Sequence, residues 1–306
     1  MPGVYFGPYN EQYSDYAHGG NANLGRWPLG HTLILPDGRE YKFLLNDGTV
    51  EVAGNLYQSV AALAGHTNQA VTTAAAIGAT SITSTITTTV VGTDIYAEGM
   101  VHVNDVTGEG YSYRIRRAMS AGNAHASAAS TATLTVNLET GEKVQVALDT
   151  TSEVTFTRNR YHATTIHLSP PTALLTGVSP GVAAANRFYW SQTKGYAAVL
   201  AEIGTLYAGL PVQAGTTTDG AIESHKRRVK TLGTTVLFVT TGLWGIALTD
   251  SDGTAITGLF AIASTNAIAP ATYDISGGVA YNSPMVGTCV KANGSTEFAL
   301  VDLRIS

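Results

Sequence analysis

Short runs of alternating apolar and polar residues, separated by tight-turn sequences, form the clearest pattern in the chain. His31–Leu35 and Arg39–Leu45 alternate in this way on either side of Pro36-Asp37-Gly38. Asn46-Asp47-Gly48 then leads into a third run, Thr49–Val52. Because Asp-Gly readily supplies the positive φ angles that hairpin turns need, the pattern predicts a β-meander here.

The middle of the chain has the same period of two, which is typical of half-buried strands. The predicted strands are Ser81–Thr87, Met100–Val106, Tyr111–Arg116, Thr133–Leu138, Val144–Leu148 and Ser152–Thr157. Gly108-Glu109-Gly110 is predicted to turn between the second and third of them, and Glu139–Glu142 between the fourth and fifth. Strands at this spacing are typical of a small antiparallel barrel or sandwich.

Two stretches before these strands differ in composition. Leu56–Ala64 is rich in apolar residues and is followed by Gly65, a pattern that predicts a short helix. Val71–Ala79 consists largely of Thr and Ala, and we interpret it as a linker.

The C-terminal part begins after Pro170-Pro171, since paired prolines end strand pairing. Asp250–Gly253 and Asn293-Gly294 are predicted hairpin turns, the latter of type I′. Tyr196–Ile203 is apolar enough for a short helix. The predicted strands here are Arg187–Gln192, Leu232–Val239, Leu243–Leu248, Met285–Ala292 and Glu297–Ile305.

These patterns predict a mostly β protein, with antiparallel barrel or sandwich domains and an extended N-terminal arm. The expected parts are an arm and β-meander at 1–75, a small antiparallel β-barrel or sandwich at 76–170, and a C-terminal β domain at 171–306. No repeat of fixed period is present, so a solenoid or propeller is not expected.

The first 30 residues have no regular period, because Gly and Pro interrupt them. Six aromatic residues are too many for a solvated tail, since each can bury about 150–250 Å². We therefore expect an arm that docks on a surface, either of its own body or of a neighbouring chain. The expected contact residues are Tyr5, Phe6, Tyr9, Tyr13, Tyr16 and Trp27.

Composition narrows the possible partners. The 306-residue chain has 17 Lys+Arg and 22 Asp+Glu, which is 13% charged residues and a net charge of −5. This balance gives no general attraction to nucleic acid or anionic membranes. One cysteine, Cys289, excludes an intrachain disulfide. No apolar run approaches the about 18 residues of a membrane span, and the N-terminus does not resemble a signal peptide.

No arrangement of catalytic or metal-binding residues stands out, so we expect no catalytic, cofactor or metal site. Gly177–Gly181 matches the G-x-S-x-G pattern, but the predicted surroundings are those of a loop. Asp250–Gly253 lacks the glycine and glutamate positions of a calcium loop. The carboxylates at Glu139, Glu142, Asp149 and Glu153 are interpreted as exposed turn and edge charges, and the eight histidines are scattered.

One basic cluster, Lys226–Lys230 preceded by His225, lies in the C-terminal part. It has no interleaved aromatic residues of the kind that bind single-stranded nucleic acid. We favour a solvated loop or subunit contact over a nucleic-acid site.

Several short segments resemble virion proteins of tailed bacteriophages. They are Pro28–His31, Pro36–Tyr41, Val52–Gln58, Gly108–Ile115, Trp190–Val199, Val286–Ala292 and Glu297–Leu303. Together they make the chain similar to head decoration, or cement, proteins. The resemblance implies a non-enzymatic protein that is made in the host cytoplasm and sits on the capsid exterior. Its implied partners are the major capsid protein and two further copies of itself in a homotrimer, with no direct contact to nucleic acid or membrane.

Two alternatives remain open at this point. The chain could be a tail or fibre component that binds host glycans through its Tyr and Trp residues. It could also be a virion enzyme that degrades polysaccharide with paired carboxylates, although the sequence identifies no such pair.

Overall fold

The computed structural model describes residues 3–17, 27–87, 89–118, 122–202, 206–225, 248–249, 255–256, 284–294 and 296–305. The chain divides into two units, the first made of Met1–Ser224 with Ser283–Ser306 and the second of His225–Asn282. The described residues form β-strands and a single 3₁₀ helix, Tyr9–Tyr13, with no α-helix among them. The sheets are largely antiparallel and one curls into a half-barrel, which confirms the predicted fold class.

The strands of the first unit follow one another closely along the chain. They are β1 (Val4–Phe6), β2 (Tyr16–Ala17), β3 (Thr32–Ile34), β4 (Glu40–Leu45), β5 (Leu56–Gln58), β6 (Gln69–Thr73), β7 (Ser81–Thr85), β8 (Met100–Asp105), β9 (Ser112–Arg114), β10 (Thr133–Asn137), β11 (Glu153–Thr157), β12 (Thr165–Ile166), β13 (Leu175–Val178), β14 (Arg187–Leu200), β15 (Pro211–Ala214), β16 (Ile222–Ser224), β19 (Met285–Lys291) and β20 (Phe298–Arg304).

The larger sheet has twelve strands, with the main order β1-β3-β4-β14-β20-β19-β15-β16. Its centre is the long strand β14, which pairs with β4 through Phe188–Lys194 and with β20 through Lys194–Leu200. Gly195 lies where the partner changes, with a φ of 85°, and a Cβ there would lie 2.8 Å from Cγ of Arg39. Glycine tolerates both the positive φ and this close approach, so the strand can continue from one partner to the next.

The smaller sheet has six strands in the order β10-β7-β6-β11-β8-β9. Its strands bury every second residue against a common core, which includes the fully buried Ile82, Val101, Leu134 and Phe156. Such alternation is what a sheet with one buried face requires. It also explains why the predicted strands at β7 to β11 are confirmed.

Both predicted short helices are wrong. Leu56 begins β5, which pairs with β12 and β13. Residues 196–200 continue β14, and Tyr196 is exposed where Ala197 and Val199 are buried. That alternation has the period of a strand, so the pairing with β20 decides the structure over apolar content alone.

Several boundaries in the sheets also differ from the predictions. Val71–Thr73 belongs to β6 rather than to a linker. The predicted strand Thr49–Val52 is reduced to a single bridge between Glu51 and Ala183, and Val144–Leu148 to one between Leu148 and Ala75. The two flanking hairpins, β3–β4 and β8–β9, form as predicted.

The last hairpin forms with a different turn from the predicted one. β19 and β20 pair as expected, but residues 292–297 connect them. The positive φ falls on Thr296, at 63°, rather than on Asn293 and Gly294. A type I′ turn requires positive φ at both central residues, so the Asn-Gly pair does not form one.

The predicted domain boundaries at 75/76 and 170/171 stay a prediction. Strand pairing places β6 to β11 in the smaller sheet, whereas strands from before and after this segment share the larger one. β4 and β14, for example, are direct neighbours although their residues lie about 150 positions apart in sequence.

The second unit contains one described hairpin, β17 (Leu248–Thr249) with β18 (Ala255–Ile256). These two strands enclose the predicted hairpin turn Asp250–Gly253. β18 was not among the predicted strands, and the turn residues lie outside the described ones. The predicted strands Leu232–Val239 and 243–247 also lie outside them.

Candidate functional site

The N-terminal segment lies against the body of the same chain. β1 runs parallel to β3, and β2 pairs antiparallel with β14. The Thr32 amide donates to the Gly3 carbonyl at 2.9 Å, and the Gly7 amide to the Ile34 carbonyl at 3.2 Å. For residues 3–17, the docking surface that the sequence left open is therefore the chain's own sheet.

Three of the six predicted contact residues point into this body. The Trp27 ring stacks on Tyr5 with ring centroids 5.4 Å apart, and Tyr16 meets it edge-on at the same separation. Trp27 also contacts Phe43 and Trp190, at 5.3 and 5.1 Å. Aromatic pairs at these distances add to the stability that burial of their area gives. Tyr5, Tyr16 and Trp27 thus help to close the core beneath the segment.

The other three predicted residues point outward. Phe6 is 76% exposed, Tyr9 52% and Tyr13 62%. In β1 the alternation places Tyr5 inside and Phe6 outside, and the 3₁₀ helix carries the two tyrosines. Val4, which is exposed two positions before Phe6 in β1, and Val182, which is exposed and lines a small depression with Tyr13, are apolar as well. We call this set, Val4, Phe6, Tyr9, Tyr13 and Val182, the N-terminal aromatic surface.

The base of this surface is fixed by a polar cluster under the 3₁₀ helix. Gln12 is buried, and its Nε2 donates to the Tyr9 carbonyl at 2.9 Å. Its Oε1 accepts from Arg39 Nη1 at 3.0 Å and from the Tyr41 hydroxyl. Arg39 in turn pairs with Asp37 at 2.7 Å. Burial raises the pKa of Tyr41, so its hydroxyl stays protonated and keeps donating to Gln12. The helix is therefore held rigidly to β4.

The chain also buries two carboxylates, those of Glu202 and Glu223, beside Thr216, and the sequence did not indicate this. The Thr216 amide donates to Glu202 Oε2 at 2.9 Å, and its hydroxyl donates to Glu223 Oε1 at 3.3 Å. Gln213 Nε2 also donates to Glu223, at 2.8 Å. Both glutamates are under 9% exposed. They are therefore hydrogen-bonded parts of the end of the sheet, and neither faces an open cleft.

The residues with possible nucleophilic or metal chemistry have structural surroundings. Ser179 is buried, and its hydroxyl donates to the Gly181 carbonyl at 2.7 Å after the antiparallel strand β13. His167 is also buried, with Nε2 2.7 Å from the Ala221 carbonyl. Within the described part of the chain, no group of three or more His, Cys, Asp or Glu residues could hold a metal ion. No helix there is long and apolar enough to cross a membrane.

Comparison with known proteins gives no relative. No family matches the chain, and neither a curated protein nor a solved structure is significantly similar to it. The predicted basic cluster Lys226–Lys230 lies outside the described residues.

Proposed function

We propose that this chain is a non-enzymatic virion structural protein that binds the outer surface of a phage head and stabilises contacts between capsomers. The observation that carries the proposal is the N-terminal aromatic surface. Phe6, Tyr9 and Tyr13 stay exposed on a segment whose other aromatics, Tyr5 and Tyr16, are packed into the body. The proposed partner is the major capsid protein.

The chemistry of this surface suits attachment to another protein. Aromatic residues are enriched in protein interfaces, and a few of them often provide most of the binding free energy. Because Gln12 fixes the 3₁₀ helix, ordering its tyrosines on binding costs little conformational entropy. With 13% charged residues in the chain, apolar contact is the main attraction available to it.

The edge of the larger sheet offers a second mode of contact. β1 is the last strand in the main strand order, next to β3 alone. Such an edge can accept a strand from a partner through backbone hydrogen bonds. Phe6, in β1, would then insert into the partner beside the added strand. Many copies of such a clamp on one capsid would resist the internal pressure of packaged DNA.

Point substitutions test this surface better than truncation does. Removing residues 1–20 would also remove Tyr5 and Tyr16, which pack against Trp27, so the deletion is expected to destabilise the body. Phe6→Ser combined with Tyr13→Ser changes only exposed side chains. Ile77→Ser is the matched control, since Ile77 is 70% exposed but lies between β6 and β7 of the smaller sheet.

The experiment measures saturation of capsids stripped of this protein, by cryo-electron microscopy and by co-sedimentation. We expect the double variant to bind at least about tenfold more weakly, as loss of interface anchors does, and Ile77→Ser to saturate like the wild type. Full occupancy by the double variant would refute the role of the surface. Absence of wild-type binding to the head would refute the proposed function.

The main alternative is a tail or fibre protein that binds glycans, because exposed tyrosines such as Tyr9 and Tyr13 can stack on sugar rings. Two measurements separate the proposals. Hundreds of copies per virion by quantitative mass spectrometry favour decoration, whereas about a dozen copies and strong glycan-array signals favour the tail. The mass of the purified protein in solution tests the proposed homotrimer.

A further inference from the structure

An arginine-lined cleft lies in the first unit, and none of its lining residues belongs to the N-terminal aromatic surface. It has a volume of about 410 Å³. Three arginines in four consecutive positions, Arg114, Arg116 and Arg117, line it together with Glu98 and Glu139. The remaining lining residues are Pro28, Asn123 and Thr140. The cleft therefore combines a polar depression with an excess of guanidinium groups.

The backbone holds the arginine segment firmly in place. The Arg116 amide donates to the Asn137 carbonyl at 2.8 Å, and its carbonyl accepts from the Glu98 amide at 3.3 Å. On the neighbouring residue, Ile115, an isolated bridge to Leu138 ties the segment to the end of β10. The side chains thus project from a fixed frame, which is what a preorganised binding site needs.

The two glutamates form ion pairs with two of the three arginines, Arg114 and Arg117. Glu98 is buried, accepts from the Leu29 amide at 3.0 Å and lies 3.2 Å from Arg117 Nε and 3.6 Å from Arg114 Nη2. Glu139 is 3.9 Å from Arg114 Nε, a loose contact. The three arginines and two glutamates that line the cleft therefore give it a net charge of one positive unit. Arg114 and Arg117 keep 30% and 23% of their side-chain surface exposed, so solutes can reach them.

Arg116 carries the unmatched charge. Among the described residues, no carboxylate forms an ion pair with it, and its buried Nε has no hydrogen-bond partner. Because Arg116 lines the cleft and has no carboxylate partner in the described part of the chain, its guanidinium can pair with an oxyanion supplied by a ligand. Guanidinium groups bind planar oxyanions through paired hydrogen bonds.

We propose that this cleft binds a single carboxylate, carried by an acidic side chain of a partner protein. One excess charge matches one carboxylate, while Glu98 and Glu139 in the wall would repel a phosphate dianion or a nucleic-acid backbone. None of the lining residues is aromatic, so the cleft offers no stacking surface for a sugar acid. The inference does not depend on capsid attachment, since its test uses small probes.

The test follows the arginine Nε–H signals of the full chain by two-dimensional NMR during titration. The probe is N-acetylglutamate N′-methylamide, and its glutamine counterpart is the neutral control. We expect saturable shifts with a millimolar dissociation constant for the acid and none for the amide. Absence of saturable shifts in the wild-type protein overturns the proposal without any variant being needed.

Variants and competing anions then locate and identify the site. Arg116→Gln should weaken binding about tenfold, a loss that corresponds to about 1.4 kcal/mol. Arg116→Lys, which keeps the charge without the planar fork, should fall in between. Arg304→Gln, which removes an exposed arginine on β20, is the control and should bind like the wild type. Equal affinity of Arg116→Gln and wild type overturns the assignment, as does tighter binding of inorganic phosphate or of glucuronate than of the glutamate probe.

Discussion

Replacing Glu51 with Gln should remove a pH dependence that the fold imposes on stability. Glu51 is completely buried, and its amide donates to the Ala183 carbonyl at 2.8 Å. Among the described residues, neither carboxyl oxygen has a partner in good hydrogen-bonding geometry. Burial raises the pKa of Glu51 from 4.5 to about 8. The hydroxyls of Tyr57 and Tyr189 lower it only in part, and the charge of Asp47 adds to the rise.

The sign of the effect follows from proton binding. Between pH 4.5 and about 8 the folded chain keeps a proton on Glu51 that the unfolded chain releases. The stabilisation is therefore complete below pH 4.5 and is lost as the pH rises through 8. The difference between the two pKa values corresponds to roughly 5 kcal/mol, of which about 4 kcal/mol falls between pH 5 and pH 9.

Urea unfolding of wild type and Glu51→Gln at intervals from pH 5 to pH 9 measures this difference. At pH 5 both side chains are neutral in the folded state, so the comparison there reports the packing of the amide together with the about 1 kcal/mol that ionisation of Glu51 in the unfolded chain has already cost. With rising pH the variant should gain stability relative to wild type by about 4 kcal/mol, since other titrating groups contribute equally to both proteins. Parallel pH profiles for the two proteins would refute a buried, protonated Glu51.

Three further outcomes are expected. Gly287→Ala should lower the free energy of unfolding, measured with urea, by at least about 2 kcal/mol, because the new Cβ would lie 2.1 Å from the Asp302 carbonyl oxygen. Gly48→Ala is the control: nothing lies within 4 Å of its Cβ, so the free energy of unfolding should change by less than about 1 kcal/mol. Cys289 is buried, and burial raises the pKa of its thiol, so iodoacetamide should label the native protein much more slowly than the unfolded protein, as followed by mass spectrometry. Capsid binding should weaken less than about tenfold between 50 and 200 mM salt, whereas a protein with many phosphate contacts loses about 10³–10⁵-fold in affinity over the same range. Release of the protein from capsids at moderate salt would contradict an apolar attachment.

Local patterns in the sequence predicted the hairpins but not the pairing between distant strands. Turn residues such as Asp37-Gly38 fix a hairpin within a few positions, so β3 and β4 could be placed. Nothing local indicates that β14 joins β4 to β20, and the apolar stretch at 196–200 was therefore predicted as a helix. Short apolar stretches do not distinguish helix from strand, and the tertiary partner decides between them.

The same limit applies to the candidate sites. The aromatic content of the arm was evident, but which rings face outward depends on the register of β1 against β3. Arg114 and Arg116 lie in the predicted strand Tyr111–Arg116 and Arg117 follows it, and the signal that could have identified the cleft was three arginines in four positions. Glu51 was placed in an alternating strand, where a glutamate is normally solvated. Its burial depends on the bridge to Ala183, which no local pattern encodes.

The distribution of charge in the fold separates the tasks of the two proposed surfaces. Among the described residues, five acidic side chains are buried, those of Glu51, Asp94, Glu98, Glu202 and Glu223, so fewer charges reach the surface than the sequence contains. Apolar contact at Phe6, Tyr9 and Tyr13 is then the main source of affinity, and it does not by itself fix one orientation, because the hydrophobic effect is non-directional. A cleft with one excess positive charge adds little affinity but selects one register, since charge complementarity acts mainly on specificity. If both surfaces contact the same partner, loss of Arg116 should leave occupancy nearly unchanged and make the bound orientation less uniform, whereas loss of Phe6 and Tyr13 should reduce occupancy itself.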